Sequence, residues 1–348
     1  MYKVDPKADA RSKHPAHSKL GGCTMEVYIL GIDVAKAKFD VAFLLGEGVA
    51  HHQFPNNANG FAVLKGWLRK RGATQLHACM EATGRYWEAL AIYLHEMDIT
   101  VSVVNPRQVK SFAESELQRQ KTDRVDAGVI ARFCRAARPK PWTPPPAELR
   151  QLQELVRRLH ALKRMETQEK NRLSNPGIDP LVEASVKDLL AHLDGQIKEV
   201  ERAIREHINS HPQLKQQRDL VTSIPGIGET TAALLLGELG EVSNYTSGRQ
   251  VAAHAGLTPK HFQSGSSIKG KPRLSKIGNV HLRRGLYMCA IVAKHHNPTI
   301  KAFCERLLSA GKPTMVVIAA AMRKLLLIAF AVLKSNKPFD PNYQPCLP

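Results

Sequence analysis

The sequence predicts an α/β domain at its N-terminal end, a helical coiled-coil middle, and a mainly α C-terminal domain. Three observations predict it. Short apolar runs follow one another closely from Val27, as in a strand meander. Strand and helix patterns then alternate as far as Arg135. Beyond a proline-rich break, apolar residues recur at spacings of three and four through two long segments.

Residues 1–24 are polar, basic and unpatterned, and are read as a disordered leader ahead of Met25. VYILGID, ending in Asp33, and FDVAFLL, from Phe39 to Leu45, are apolar strand runs, and His51 to Phe54 is a weaker third. A helical pattern follows over Gly60 to Arg71, then the strand LHACMEA ending near Glu81. A helix from Trp87 to Met97, a strand ITVSVVN from Ile99 and helical segments through Arg135 complete the domain, 25–145. Three β, then α-β-α-β-α, is the order of an RNase H-like fold, although another α+β domain would share it. RPKPWTPPP, from Arg138 to Pro146, ends the domain.

In the middle region, 146–215, Leu152, Leu155, Leu159 and Leu162 form one apolar seam. After an Asn175-Pro176-Gly177 break, Val186, Leu190, Leu193, Ile197, Val200 and Ile204 form another. The two helices pair either with each other or with another protomer. Their outer faces carry Arg157, Arg158, Lys163, Arg164, Lys170 and Arg172, a solvated face or a nucleic-acid contact. From 216 to 340 the chain is helical again, apart from a polar, basic Gly/Ser-rich loop between Thr258 and Asn279.

Charge narrows the function. Fifty Lys and Arg against 31 Asp and Glu give +19, which calls for a polyanionic partner, because cations that neutralise phosphates release condensed counterions. The longest apolar run, Pro313 to Val332, is broken by Arg323 and Lys324 and reads as a buried helix, so no membrane is expected. No apolar stretch of a signal peptide follows the basic N-terminus. The six cysteines (Cys23, Cys79, Cys134, Cys289, Cys304, Cys346) show no zinc spacing and read as reduced thiols of a cytoplasmic protein.

Four carboxylates stand where chemistry would want them. Asp33 ends the first strand, Glu81 ends a later one, and Asp123 and Asp126 in KTDRVDA share one face of the following helix. In an RNase H-like sheet those strands are neighbours and the last helix packs beside them. The four acids would then converge, and their mutual repulsion implies divalent cations on oxygen ligands; Mg2+ suits them. Taken singly, each also has a plain reading as a turn residue or helix cap.

A second signal, Ile224-Pro225-Gly226-Ile227-Gly228 between two helices, has the form of a helix-hairpin-helix. Backbone N–H groups beside Gly226 and Gly228 could bind a phosphate without reading bases, or the segment is a plain helical hairpin. A third is the segment around Ser264, Ser266, Ser267 and Ser275, with the bases Lys269, Lys271, Arg273, Lys276, Arg283 and Arg284 as nucleic-acid contacts. It either presents a nucleophilic hydroxyl to a phosphodiester or is a phosphate-binding loop with serines as turn formers.

GIDVAK, MEATG, KTDRVDA, IPGIG and AAHAGLTP…QSG…KG…SKIGN…LRRGLYM appear in that order over nearly the whole chain after Met25. In this set the chain resembles the IS one-ten (IS110) insertion-sequence transposases and their DNA invertase relatives, a family of bridge-RNA-guided recombinases. The resemblance implies a RuvC-like N-terminal domain whose metal-binding acidic tetrad is Asp33, Glu81, Asp123 and Asp126. It implies a C-terminal transposase domain whose Ser-Gly motif falls on Ser264 and Gly265, with Ser266 and Ser267 close by. It also implies attack by serine on the metal-polarised phosphate and a transient phosphoserine link to DNA. Further implications are a tetramer (a dimer of dimers) in which acids and serine come from different protomers, and a structured noncoding RNA that selects target and donor DNA by pairing. Such a protein would work in the prokaryotic cytoplasm, on the nucleoid. Two rivals use parts of the same set: a RuvC-like nuclease with water as nucleophile, and a non-catalytic nucleic-acid-binding protein.

Overall fold

The computed structural model describes residues 27–46, 48–73, 75–118, 122–264 and 268–342, with the side chains of 261–269, 271 and 272 outside the description. The leader at residues 1–24 lies outside the described residues. The chain divides into two compact units, 1–144 and 145–348.

The first unit is built on one sheet. Strands β1 (Tyr28–Val34), β2 (Lys38–Leu45) and β3 (Gly48–Pro55) form an antiparallel meander. Helix α1 (Ala58–Arg69) follows, its N-terminus capped by Asn57, whose side chain accepts from the Gly60 N–H at 2.9 Å. Strand β4 (Leu76–Glu81) lies parallel to β1 on the other side, and α2 (Glu88–Glu96) leads to β5 (Thr100–Val104), parallel to β4. The sheet order is β3-β2-β1-β4-β5. Helices α3 (Pro106–Ser115) and α4 (Asp123–Ala137) close the unit.

Both faces of this sheet are covered, which is why β1 and β2 read as near-continuous apolar runs rather than alternating ones. Leu30, Ile32, Phe39, Val41, Phe43 and Met80 pack with Phe61, Leu64, Leu90 and Leu94 in one core cluster. Ile29, Ala42, Leu44 and Cys79 pack with Ala127, Ile130, Ala131 and Cys134 of α4 in the other. Helix α4 approaches β1 so closely that a Cβ on Gly31 would meet the Ala127 carbonyl at 2.2 Å and the Ala131 nitrogen at 2.3 Å. Only glycine fits there. Strand β3, at the sheet edge, keeps mainly Phe54 buried, and its apolar signal is correspondingly weak. The proline-rich segment lies against the other edge: the Trp142 N–H donates to the Val101 carbonyl at 2.7 Å, and its ring meets Trp87 edge-on.

The second unit is mostly helical. Helices α5 (Ala147–Leu173) and α6 (Pro180–Ser210) are joined through Gly177 at φ 77° and pack on each other within the chain. Leu152, Val156, Leu159 and Leu162 meet Leu193, Ile197, Ile204 and Ile208 along the seam. Helices α7 (Pro212–Thr222) and α8 (Glu229–Leu239) follow; Ala233, Leu234 and Leu236 of α8 close the same cluster. Beyond them come α9 (Gly248–His254), β6 (Pro259–Ser264), β7 (Ile268–Leu274), α10 (Val280–His296), α11 (Pro298–Ser309) and α12 (Thr314–Ser335). Helix α12 is long and apolar enough to cross a membrane, but Val317, Ala321, Leu325, Leu326 and Ala329 are buried in the unit's core.

One expectation is corrected. The segment from Thr258 to Asn279, expected as a loop, contains an antiparallel ribbon pairing Pro259 with Leu274 and Ser264 with Ile268. Its strands hold too few apolar residues for a period of two to show. Backbone pairing, which sequence spacing does not display, makes the ribbon.

Candidate active site

The sheet puts the first two acids side by side. Strands β1 and β4 are parallel, with Ile32 opposite Met80, so Asp33 and Glu81 come next on adjacent strands. Helix α4 begins at Asp123 because the Thr122 hydroxyl caps it, accepting from the Val125 N–H at 3.3 Å; Asp123 and Asp126 both fall in its first turn. With α4 pressed onto Gly31, that turn faces the Asp33 region, and Asp33 interacts electrostatically with Glu81, Asp126, Asp123 and Asp40. The structure therefore places Glu81, Asp123 and Asp126 within electrostatic reach of Asp33.

Their charge is incompletely compensated. Burial first, then Glu81, Asp126, Asp123 and Asp40, push the Asp33 carboxyl up from 3.8 to about 6. Lys38 answers part of this. Its Nζ lies 2.9 Å from Asp123 Oδ2 and 3.8 Å from Asp40 Oδ2. The hydrogen bond and charge of Lys38 hold the Asp123 carboxyl below the usual range, and Asp123 in turn raises Lys38. Glu81 Oε1 accepts from the Thr83 hydroxyl at 2.8 Å.

Two members of this cluster escaped the sequence reading. Asp40 is buried directly opposite Asp33 in the β1–β2 register, and Gln53 Nε2 donates to both its oxygens at 3.0 Å. Its signal was available, since aspartate is disfavoured inside strands. Lys38, two residues earlier, lies on the same strand face and has no such signal on its own.

The cluster's geometry and its chemistry bear separately on a divalent cation. Among the described residues, no three Asp, Glu, His or Cys side chains are gathered tightly enough to share one ion as they stand, and Asp123 is turned to Lys38. The chemistry nonetheless fits. The donors are all carboxylate oxygens, suited to a hard cation, and Asp33, its carboxyl raised first by burial and then by the neighbouring acids, would be favoured in its charged form by such an ion.

The remaining candidates lie in the second unit. Ser264 ends β6; its side chain, Gly265, Ser266, Ser267 and the side chains of Lys269 and Lys271 lie outside the described residues. Arg273, Lys276 and Arg284 are exposed, Lys276 with φ 57°. Arg283 serves the fold: its Nη1 donates to the carbonyls of Ala255, Gly278 and Asn279 at 2.9, 3.1 and 3.2 Å. Gly226, at φ 101°, is required by packing, since its Cβ would meet Ala293 Cβ at 2.7 Å, whereas Gly228 opens onto free space at the start of α8.

Comparison with known proteins adds an independent line. A family model described as a transposase of the IS110 DEDD type matches residues 30–175, and one described as transposase IS116/IS110/IS902 family matches 218–305. The pilin gene-inverting protein of Moraxella bovis is 34% identical over 314 residues, 89% of this chain and 97% of that protein. The corresponding protein of Moraxella lacunata matches at the same identity and coverage. The transposase for insertion sequence element IS1328 of Yersinia enterocolitica is 32% identical over 155 residues, 43% of this chain and 44% of that protein. Among solved structures, Thermus thermophilus RuvC in complex with a Holliday junction substrate aligns over 34% of this chain and 100% of its own, with a TM-score of 0.27 and 12% identity.

Proposed function

The chain belongs to the IS110 family of insertion-sequence transposases, and from that premise we propose that it cuts and rejoins DNA through a metal-assisted serine nucleophile. The observation that carries this reading is the carboxylate cluster, with Asp33 and Glu81 on adjacent parallel strands and Asp123 and Asp126 in the first turn of α4; burial and these neighbours together raise Asp33 to about 6. The strand order β3-β2-β1-β4-β5, three antiparallel strands and then two parallel ones, supports an RNase H-like, RuvC-like reading of the first unit.

Mg2+ held by Asp33, Glu81, Asp123 and Asp126 would polarise the scissile phosphate and offset charge building on its oxygens. The protein's own groups do the rest. Glu81, oriented by Thr83, and Asp33, fixed at a strand end, are held on a rigid sheet rather than on loops. Lys38 keeps Asp123 ionised. Ser264 Oγ bonds to phosphorus as the deoxyribose oxygen leaves with the electron pair of the broken P–O bond, and the serine proton passes through solvent to that leaving oxygen. A hydroxyl of the exchanged strand then attacks the phosphoserine, reforming a phosphodiester and releasing Ser264. No external energy is required, because one phosphoester replaces another.

The family resemblance supports a structured noncoding guide RNA and assembly as a homotetramer, and the +19 charge agrees with two nucleic-acid partners. With base pairing selecting the sites, Arg273, Lys276, Arg284, Lys269, Lys271 and the backbone at Gly226 and Gly228 would follow phosphates rather than read bases. A protein acting on bacterial DNA in this way works in the cytoplasm.

The test is a trapping assay. The full chain, with Mg2+ and any RNA that co-purifies with it, is incubated with a nicked suicide DNA substrate and run on a denaturing gel. A protein–DNA adduct that disappears in Ser264→Ala and in Asp126→Ala is expected. Cleavage without an adduct would make water the nucleophile and replace the transposase mechanism with that of a nuclease.

A further inference from the structure

Glu238, on the last turn of α8, is an acid with a fully buried side chain in a unit that otherwise buries mainly apolar groups. Arg157 of α5 grips it twice, Nε to Oε1 at 2.7 Å and Nη2 to Oε2 at 2.9 Å. Asn279 donates Nδ2 to Oε2 at 2.7 Å. Gln153 Nε2 donates to the neighbouring Gly237 carbonyl at 3.1 Å and to Oε2 at 3.4 Å. The His254 ring donates to the Glu238 carbonyl at 3.2 Å. One residue thus ties α5, the end of α9 and the start of α10 together.

Those last two points are the feet of the β6–β7 ribbon. The outgoing foot runs from Ala255 to Thr258 and the returning foot from Ser275 to Asn279, the N-cap of α10. The feet are laced together: the Asn279 N–H donates to the His254 carbonyl at 2.6 Å, Ser275 to Thr258 at 2.8 Å and Lys276 to Gly256 at 3.2 Å. A Cβ on Gly278, at φ 138°, would stand 2.3 Å from the His254 carbonyl oxygen, so the feet pack too closely there for any residue but glycine.

A buried ion pair is a poor device for stability alone, since well-packed apolar groups of the same volume usually serve as well or better. What the carboxylate adds is direction, because Arg157 of α5 holds both oxygens while Oε2 also accepts from Asn279 at the start of α10. We propose that Glu238 is a positioning residue for strand transfer: held by Arg157, its carboxylate anchors Asn279 and so sets the orientation of the β6–β7 ribbon that carries Ser264. This rests on the reading of Ser264 as nucleophile. The ionisation state agrees. Burial pushes the Glu238 carboxyl up, but the hydrogen bonds of Arg157 and Asn279 and the charges of Arg157 and His281 outweigh it and hold it below its ordinary value.

Two variants test it in the full chain. Glu238→Gln keeps the shape but removes the charge. Asn279→Ser keeps a capping hydroxyl for α10 yet is too short to reach Glu238. Amide hydrogen exchange over 255–279 needs no substrate, and adduct formation on the suicide DNA supplies the second readout. Both variants are expected to fold and to bind DNA as the wild type does. Ribbon-foot exchange should rise about tenfold or more, and the adduct rate at saturating DNA should fall by about tenfold or more, as misplacement of a reacting group does. Wild-type exchange in folded Asn279→Ser, or wild-type adduct rates in either folded variant, would overturn the proposal. Should Glu238→Gln fail to fold, Asn279→Ser decides alone. A wild-type protein that gives no adduct, or an adduct surviving in Ser264→Ala, would remove the serine reading instead; the exchange experiment would still report whether Glu238 holds the ribbon.

Discussion

The two units handle buried negative charge in opposite ways. In the second unit, Glu238 receives a bidentate arginine, an asparagine and a glutamine, and its carboxyl is held below the ordinary range. In the first, burial and then the charges of Glu81, Asp126, Asp123 and Asp40 drive the Asp33 carboxyl up to about 6. The Asp33 cluster has Lys38 at Asp123 and Asp40 but no arginine like Arg157, a difference that agrees with a cation supplied from outside the chain. A carboxylate gripped by an arginine fixes geometry, whereas like-charged carboxylates around a half-buried one are a common setting for a functional site.

The contrast can be broken from either side. The largest effect is expected from Arg157→Ala, which leaves Glu238 buried and unpaired: about 3 kcal/mol lost, the scale for breaking a buried pair, read by urea unfolding. A loss within error would mean that Glu238 is better solvated than its surroundings indicate.

Asp33→Asn should act in the other direction. The folded Asp33 carboxyl is raised above its unfolded value of 3.8, so its contribution to stability is present below pH 4 and is lost as pH rises through about 6. At neutral pH without metal, Asp33→Asn should therefore raise Tm by about 2–4 °C, as roughly 1 kcal/mol does for a unit of this size after discounting for solvent screening. It should also flatten the dependence of Tm on pH between 4 and 6. A lower Tm would show that Asp33 is compensated within the protein.

The smallest effect belongs to Lys38→Met. The ion pair with Asp123 is exposed, so unfolding should be unchanged, while the Asp123 carboxyl rises in an NMR titration because its hydrogen bond and counter-charge are gone. An unmoved Asp123 would remove Lys38 from the cluster.

Much of the first unit was legible because its determinants are local. Apolar runs ending in Asp33 and Glu81 mark strands whose ends are adjacent once β1 and β4 pair, whereas the helix cap read at Asp123 falls one residue earlier, on Thr122. The role of Gly31 was not legible, since nothing in GIDVAK says that a helix approximately a hundred residues later will press on that glycine. In the second unit, the apolar seams of α5 and α6 could be read, but whether they meet each other or another chain could not; the structure pairs them within the chain. The Glu238 cluster was invisible for the same reason as Gly31. Its partners Arg157 and Asn279 stand 81 and 41 residues away, and no periodicity connects them. The β6–β7 ribbon was missed because backbone pairing, not an apolar face, defines it.

The central claim is that the carboxylate cluster of the first unit is completed by a divalent cation. The most direct measurement is calorimetric titration of the metal-free protein with Mg2+ near pH 6 in buffers of different ionisation enthalpy. Saturable binding accompanied by proton release is predicted for the wild type, because the cation displaces the proton that the raised Asp33 carboxyl retains, and binding should be lost in Asp33→Asn and Glu81→Gln. Binding of equal strength in those variants, or no binding to the wild type, would contradict the account.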